Sequence, residues 1–287
     1  LSKAKIGIIG GSGLYEMEGL GEVQDREVST PFGPPSDIIK TGTLDGVGVA
    51  FLPRHGRGHR ISPTEVPSRA NIYALKSLGV EWIISISAVG SLKEEIRPLD
   101  MVIPDQIIDR TKSRDNTFFG KGIVAHVAFA DPFCPVLSKL LLEEAQTVAP
   151  RVHKGGTYVV MEGPLFSTRA ESMIYRSWGA SVIGMTALPE GKLAREAEIC
   201  YATLACSTDY DCWYEHAESV SVEMIVANLS RNVENAKKIV KKVIARIPPK
   251  RECGCSSALN NAIITDRSLI PPARKKELGL LVNKYIK

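Results

Sequence analysis

The apolar positions of this chain fall into short β-branched runs separated by longer stretches with a three- to four-residue period. That pattern predicts alternating strands and helices in an α/β protein. Residues 5–10 (KIGIIG) read as a buried strand ending in glycine, and residues 49–52, 82–87, 101–103, 158–161, 182–185 and 201–207 carry the same signal. Helical periodicity covers residues 68–78 after Pro67, 136–148 after Pro135, 168–178 and 189–198. The longest period runs over residues 220–247, where Val222, Ile225, Val226, Leu229, Val233, Ala236, Val240 and Val243 share one face, and Pro248-Pro249 ends it. No internal repeat and no Gly/Ser-rich linker divides residues 1–250, which read as one domain. Residues 251–287 are polar, basic and cysteine-bearing, which predicts an extension rather than a second domain.

Composition narrows the classes of function. Lys+Arg 36 against Asp+Glu 32 gives a net charge of +4 that is spread along the chain, unlike the clustered basic surface of a nucleic-acid binder. A hydrophobic fraction of 44% argues against disorder, and no apolar run is long enough to span a bilayer, so neither nucleic acid nor membrane is expected as a partner. Leu1-Ser2-Lys3-Ala4 leads straight into the first strand, which leaves no room for a signal peptide and makes the cytoplasm the expected location. Cys134, Cys200, Cys206, Cys212, Cys253 and Cys255 lack the paired C-x-x-C spacing of a zinc ribbon, and no His completes one, so no metal is expected. Cys253-Gly254-Cys255 stands apart from core thiols and suggests a local disulfide or a redox pair.

Five segments carry candidate chemistry. Gly10-Gly11-Ser12-Gly13 follows a buried strand and forms an anion nest of backbone N–H groups; Glu16 stands where a dinucleotide fingerprint needs glycine. Pro53-Arg54-His55-Gly56-Arg57-Gly58-His59 is a concentrated cationic loop, and Arg suits bidentate recognition of phosphate. Ser87-Ala88-Val89-Gly90-Ser91 places small and hydroxyl residues where ligands gather in open α/β sheets. Phe166 offers a face for an aromatic base, and Met185, in Gly184-Met185-Thr186, an adaptable wall. Asp209 and Asp211 lie two residues apart after an apolar strand, suited to holding and donating a proton. Each segment ends a predicted strand, so a sheet would gather them on one rim, with an oxyanion cradle on one side and two acids on the other.

In order along the chain, GIIGGSGL, TPFGPPSD, PRHGRGH, SAVGSL, MEGPLFSTRAES, GMTALPE and STDYDCW resemble the purine nucleoside phosphorylase family, and within it the branch acting on 5′-methylthioadenosine, over residues 4–247. The resemblance implies a single α/β domain with a mixed central β-sheet flanked by helices, assembled as a homo-oligomer, either a trimer or a dimer of trimers. It implies a pentosyltransferase that cleaves a nucleoside with inorganic phosphate as co-substrate and without a cofactor. Ser12, Arg54, His55, Ser87, Ala88 and Thr186 would bind phosphate, and Phe166 and Met185 would line ribose and base. Asp209 would face the purine N7 and 6-amino group with Asp211 close by. His126 would reach a neighbouring subunit's 5′ pocket, and Val222, Ile225 and Val226 would wall the methylthio group. The Cys-Gly-Cys is similar to thermophilic archaeal members, some of which are hexamers with disulfides. Gly184 and Leu165 stand where the animal enzyme has Asn and Arg; Ser12 and Ser87 stand where it has Thr. The alternatives are a broader purine nucleoside phosphorylase acting on adenosine, inosine or guanosine, a nucleosidase using water, and a non-catalytic nucleoside-binding protein.

Overall fold

The computed structural model describes residues 4–214 and 222–286; the side chains of Ser12, Tyr15 and residues 222–225, and with them the expected contacts of Ser12, Val222 and Ile225, lie outside that description. Parallel strands form the centre. β1 (Ile6–Gly10) lies between β4 (Val47–Pro53) and β5 (Trp82–Ser91), and β5 pairs in turn with β11 (Cys200–Asp209). All residues of β1 and β11 are buried, which explains why they read as predominantly apolar runs. β2 (Gly21–Arg26) and β3 (Ile39–Leu44) extend the sheet beyond β4 in antiparallel fashion, and β6 (Met101–Ile103) and β8 (Val152–Lys154) extend it beyond β11. A further wing of β10 (Val182–Gly184), β9 (Thr157–Met161) and β7 (Gln106–Arg110) completes an eleven-stranded mixed sheet.

Alternate residues of the central strands face two helical layers. Ile9, Ala50, Leu52 and Ile83 pack against α1 (Ser68–Ser77) and α4 (Ala187–Glu196). Ile8, Val49, Phe51 and Ile84 pack against α2 (Pro135–Val148) and α5 (Val222–Arg246). α3 (Arg169–Ser177) starts with a capping box between Thr168 and Glu171, the exchange that fixes the end of the Phe166 loop. Among the described residues, no helix is long and apolar enough to cross a membrane.

The order of pairing along β5 positions the site. Its first part lies between β1 and β11, but its last residues outrun β1 and pair antiparallel with β10, Gly90 with Ile183 and Ser91 with Val182. Gly184, Met185 and Thr186 therefore do not sit at the shared carboxyl rim expected from the sequence. They run back along β5 toward Ser87.

The segment after α5 is more than a polar extension. α6 (Pro272–Glu277) and α7 (Gly279–Val282) fold back so that Leu259, Ile270, Leu278, Val282 and Ile286 join the cluster built on α1 and α4. The guanidinium of Arg274, buried, bonds the carbonyls of Phe118 and Gly120. No disulfide forms among the described residues, where all six cysteines are free. The tail lies against the starts of α2 and β11, so Cys253 and Cys255 meet Cys134 and Cys200 instead of only each other.

Leu278 is fully buried in this cluster, so Leu278→Ala should cost about 2–5 kcal/mol through lost contacts and the cavity left behind. Urea unfolding measures this directly, and an unchanged midpoint would show that the tail is not part of the core.

Candidate active site

The phosphate side begins with a buried ion pair. Arg54 follows β4 directly, and its backbone N–H bonds the Gly10 carbonyl at 2.9 Å, which ties the cationic loop to the glycine nest. Its guanidinium is only 4% exposed and faces Glu190 of α4 through Nε and Nη2. Nη2 also reaches the Ser85 hydroxyl at 2.7 Å, and Nη1 the Ile86 carbonyl at 3.0 Å. Glu190 in turn accepts from Ser85 and from Tyr201, each at 3.1 Å. Burial opposes the charge on Arg54, but Glu190 outweighs it and the pKa rises, so the group stays cationic with its counter-ion built in. One Nη1 hydrogen remains for a ligand.

Ser87 and Thr186 face each other because Thr186 lies three residues past Ile183 and Ser87 three before its partner Gly90; their hydroxyls are 2.7 Å apart. Ala88 is half-buried beside them, opposite Cys206 of β11. His55 stacks on His59 at 4.3 Å and bonds the Ile61 carbonyl through Nδ1 at 2.9 Å. Burial, and then the Arg54 charge, hold its pKa down to about 4. The ring is therefore neutral at pH 7, with the proton on Nδ1 and a lone pair on Nε2. Arg54, His55, Thr186 and Glu190 line one small cavity with Met185 and Arg114. Arg57 and Arg60 stay outside, facing Asp25 and Asp37. The cationic loop of the sequence thus delivers one internally paired Arg and one neutral His.

The acids occupy the far end of β5. A bulge at Thr208 lets Ser207 oppose Val89 and Asp209 oppose Gly90, which turns the Asp209 carboxylate inward. That carboxylate, 6% exposed, accepts from the Thr208 hydroxyl at 2.7 Å and from the Asp211 N–H at 2.8 Å. Burial raises its pKa above the usual carboxylate range despite both bonds. Asp211 is pushed up to about 6, chiefly by burial, with the neighbouring Asp209 adding to it. Gly90 is a requirement here, since a Cβ would stand 3.0 Å from Asp209 Oδ1 and 3.3 Å from the Asp211 Cβ. Ser87 and Gly90 are three residues apart on one strand, so hydroxyl pair and acid pair are separated by about 10 Å, the span of a sugar with its substituents.

Several residues that hold this arrangement are invisible in the sequence pattern. Asn228 and Asn232, one turn apart on α5, bond the Thr208 and Ser207 carbonyls at 2.7 and 3.0 Å and brace the bulge. Trp213 Nε1 bonds the Ser91 carbonyl at 2.7 Å, and the Arg176 guanidinium lies 3.4 Å over its ring. Arg114 bridges the carbonyls of Met161, Glu162, Met185 and Leu188, which fixes the Met185 wall. Tyr158 is fully buried with its hydroxyl unpaired, and a Cβ on Gly184 would come within 2.4 Å of that hydroxyl. Gly184 is thus a glycine because Tyr158 occupies the space. The only sequence signal for these groups was a polar residue inside or beside an apolar element.

On the base side, Met185 packs its sulfur over Gly163, while Phe166 is 56% exposed and Leu165 and Val226 also face solvent. His126 is exposed, and its backbone N–H goes to the Ala262 carbonyl at 2.9 Å. The structure therefore assembles Arg54, His55, Ser87, Ala88, Thr186, Met185, Asp209 and Asp211 around β5. It leaves His126 and Val226 on the surface of this chain.

An eleven-stranded mixed sheet with a small polar-lined cavity and a buried acid pair at the end of β11 defines the class. The Phosphorylase superfamily matches residues 5–245, and the chain belongs to that superfamily. It is 60% identical over 282 residues to the S-methyl-5′-thioadenosine phosphorylase of Geobacter sulfurreducens, covering 98% of this chain and 99% of that one. It is 58% identical over 289 residues to the protein of the same name from Thermosynechococcus vestitus, covering 99% of each. A crystal structure of methylthioadenosine phosphorylase sourced from an Antarctic soil metagenomic library matches with a TM-score of 0.94 at 50% identity, over 98% of this chain and 100% of that one. Both curated relatives are bacterial, which gives no support to the archaeal likeness suggested by Cys-Gly-Cys.

Two measurements probe these electrostatics. Arg54→Ala strands the Glu190 carboxylate in a dry site and should cost about 3–5 kcal/mol, whereas Arg54→Met combined with Glu190→Leu should cost much less; equal losses in urea unfolding would show that the pair is not coupled. The folded chain holds the Asp211 proton up to about pH 6, whereas an unfolded Asp releases it near 4. The native state thus binds more protons between those values, and stability falls as pH rises through that window. Asp211→Asn should remove a slope on the order of 3 kcal/mol between pH 4 and 7; parallel pH profiles for wild type and variant would contradict the buried acid.

Proposed function

We propose that this protein phosphorolyses S-methyl-5′-thioadenosine, releasing adenine and 5-methylthioribose 1-phosphate. The observation that carries the reading is the pairing of a Ser87–Thr186 hydroxyl cradle on β5 with a buried Asp209 on the neighbouring strand β11, level with Gly90 and so about 10 Å further along the sheet. The S-methyl-5′-thioadenosine phosphorylases named above supply the substrate. Inorganic phosphate is the co-substrate and no cofactor takes part.

Phosphate sits beneath C1′ on Arg54 Nη1, Ser87, Thr186 and the lone pair of His55. A neutral His55 accepts a hydrogen from a P–OH group, so the site takes a phosphate that still carries a proton. A phosphate oxygen bonds C1′ as the C1′–N9 bond breaks, with the sugar oxocarbenium-like between them. The bonding pair leaves with the purine, which takes its proton at N7 from the Asp209–Asp211 pair. The donors are held before substrate arrives, so positioning and preorganised dipoles lower the barrier. General-acid help adds a factor of about 10²–10⁴. One Asp209 oxygen carries the proton for N7 and the other accepts from the 6-amino group, an arrangement that a 6-oxo acceptor does not satisfy. Tyr158 fills the space beside Gly184 that would otherwise loosen base selection.

The enzyme works in the cytoplasm as a homo-oligomer, a trimer or a dimer of trimers. Leu165, Phe166, Met173, Ile174 and Trp178 form an exposed apolar stretch beside the base side, larger than scattered surface apolar residues require. A second copy seated there would cover Phe166 and bring its own His126 to the 5′ end of the substrate.

Asp209→Asn should lower turnover of methylthioadenosine by two orders of magnitude or more in a chain that still folds, as judged by circular dichroism. Near-normal turnover would remove the acid role. Omitting phosphate should stop adenine release; an undiminished rate would identify a hydrolase instead. Rates on inosine and guanosine comparable with methylthioadenosine would favour the broader nucleoside phosphorylase.

A further inference from the structure

Three separate stretches of chain bring four sulfurs to one point, away from the reacting groups. Cys134 immediately precedes α2, Cys200 opens β11 at the end opposite Asp209, and Cys253 and Cys255 flank Gly254 in the tail. Every pair of these Sγ atoms lies within 4.8 Å, with Cys200 and Cys253 at 3.3 Å and Cys134 and Cys253 at 3.6 Å. Cys134, Cys200 and Cys255 are buried and Cys253 is half-buried.

Two disulfides would require closeness only within each pair. Here all four sulfurs are mutually close, which is the requirement of a shared centre. Sulfurs bound at about 2.3 Å around a tetrahedral zinc ion stand about 3.8 Å apart; the Cys200–Cys253 and Cys134–Cys253 separations of 3.3 and 3.6 Å lie a little below that value, and every other pair is within 4.8 Å. No zinc signature stands out along the chain because the four cysteines come from three distant segments, and only those of Cys253-Gly254-Cys255 lie within one turn of chain.

We propose that Cys134, Cys200, Cys253 and Cys255 form a tetrathiolate zinc site that fastens the C-terminal segment to the starts of α2 and β11. Binding exchanges four S–H protons for one Zn²⁺ and leaves a tetrathiolate of net charge −2, with no change in oxidation state. Four protein ligands leave no open position, so the ion is structural and takes no part in the reaction.

Elemental analysis of the full-length chain, purified under reducing conditions, should find zinc at one per chain. After removal by a chelator, Co²⁺ should bind at one per chain with the sulfur-to-metal charge-transfer band and intense visible bands of a tetrahedral tetrathiolate, and Zn²⁺ should displace it. Cys253→Ser should lose those bands, while Cys206→Ala, a buried cysteine outside the cluster, should keep them. Reduced wild-type chain that binds no Co²⁺, or Co²⁺ bands that survive Cys253→Ser, would overturn the site, as would metal-free chain in which thiol counting and peptide mapping show these cysteines paired as disulfides. The readout is independent of phosphorolysis, so its failure and that of the proposed reaction are separately visible.

Discussion

The buried pair between Arg54 and Glu190 is the constraint on which the rest of the site depends. It gathers groups from β1, β4, β5, α4 and β11: the Ile9 and Ile86 carbonyls, the Ser85 hydroxyl and the Tyr201 hydroxyl all bond one partner or the other. A charge taken out of water is tolerable only when it is paired and its remaining hydrogens are satisfied. The fold meets that condition at the end of its central strands, where the backbone carbonyls run out of sheet partners. With the pair in place, the loop after β4 and the start of α4 have no freedom to drift apart.

The same pair shapes how an anion is held. With Arg54 compensated and His55 neutral, the cavity offers an anion directed N–H and O–H donors more than net charge. In the proposed phosphorolysis this leaves the negative charge of the bound phosphate only partly neutralised. That residual charge faces the sugar, where positive charge develops as the glycosidic bond stretches. A cradle of several free cations would hold the anion more tightly in the ground state and lessen this attraction, whereas binding improves the rate only when it grows in the transition state.

Much of the centre was legible because β1, β5 and β11 are largely buried on both faces and so carry predominantly apolar runs, broken in β5 and β11 by small hydroxyl residues. The outer strands were not. β2 (GEVQDR) is largely exposed and β8 is three residues long, so neither carries a periodic signal. Arg54, His55, Ser87, Ala88, Thr186, Asp209 and Asp211 were identified from their motifs, but the antiparallel run of β10 that seats Thr186 opposite Ser87 depends on pairing between residues about ninety positions apart. Arg114, Tyr158, Asn228 and Asn232 act through carbonyls and space supplied by distant segments, information that local pattern does not contain. The tail misled for a related reason, since its buried Leu278, Leu281 and Val282 are separated by short turns and never build a long period.

The two ends of the site differ in how complete they are within one chain. Around Ser87 and Asp209 each position is fixed by buried partners: Glu190 behind Arg54, the Asn228 and Asn232 amides behind the Thr208 bulge, Trp213 on the Ser91 carbonyl. Around Phe166 the ring lies in solvent, and the loop is held by Met185 on Gly163, by the capping box before α3 and by contacts of Ser167 with Met161 and Cys212. Bond making and breaking need sub-ångström placement, whereas an apolar substituent needs only exclusion of water. A chain that fixes the first internally confines its desolvated groups to a small volume, and in the proposed oligomer leaves the second to a covering subunit.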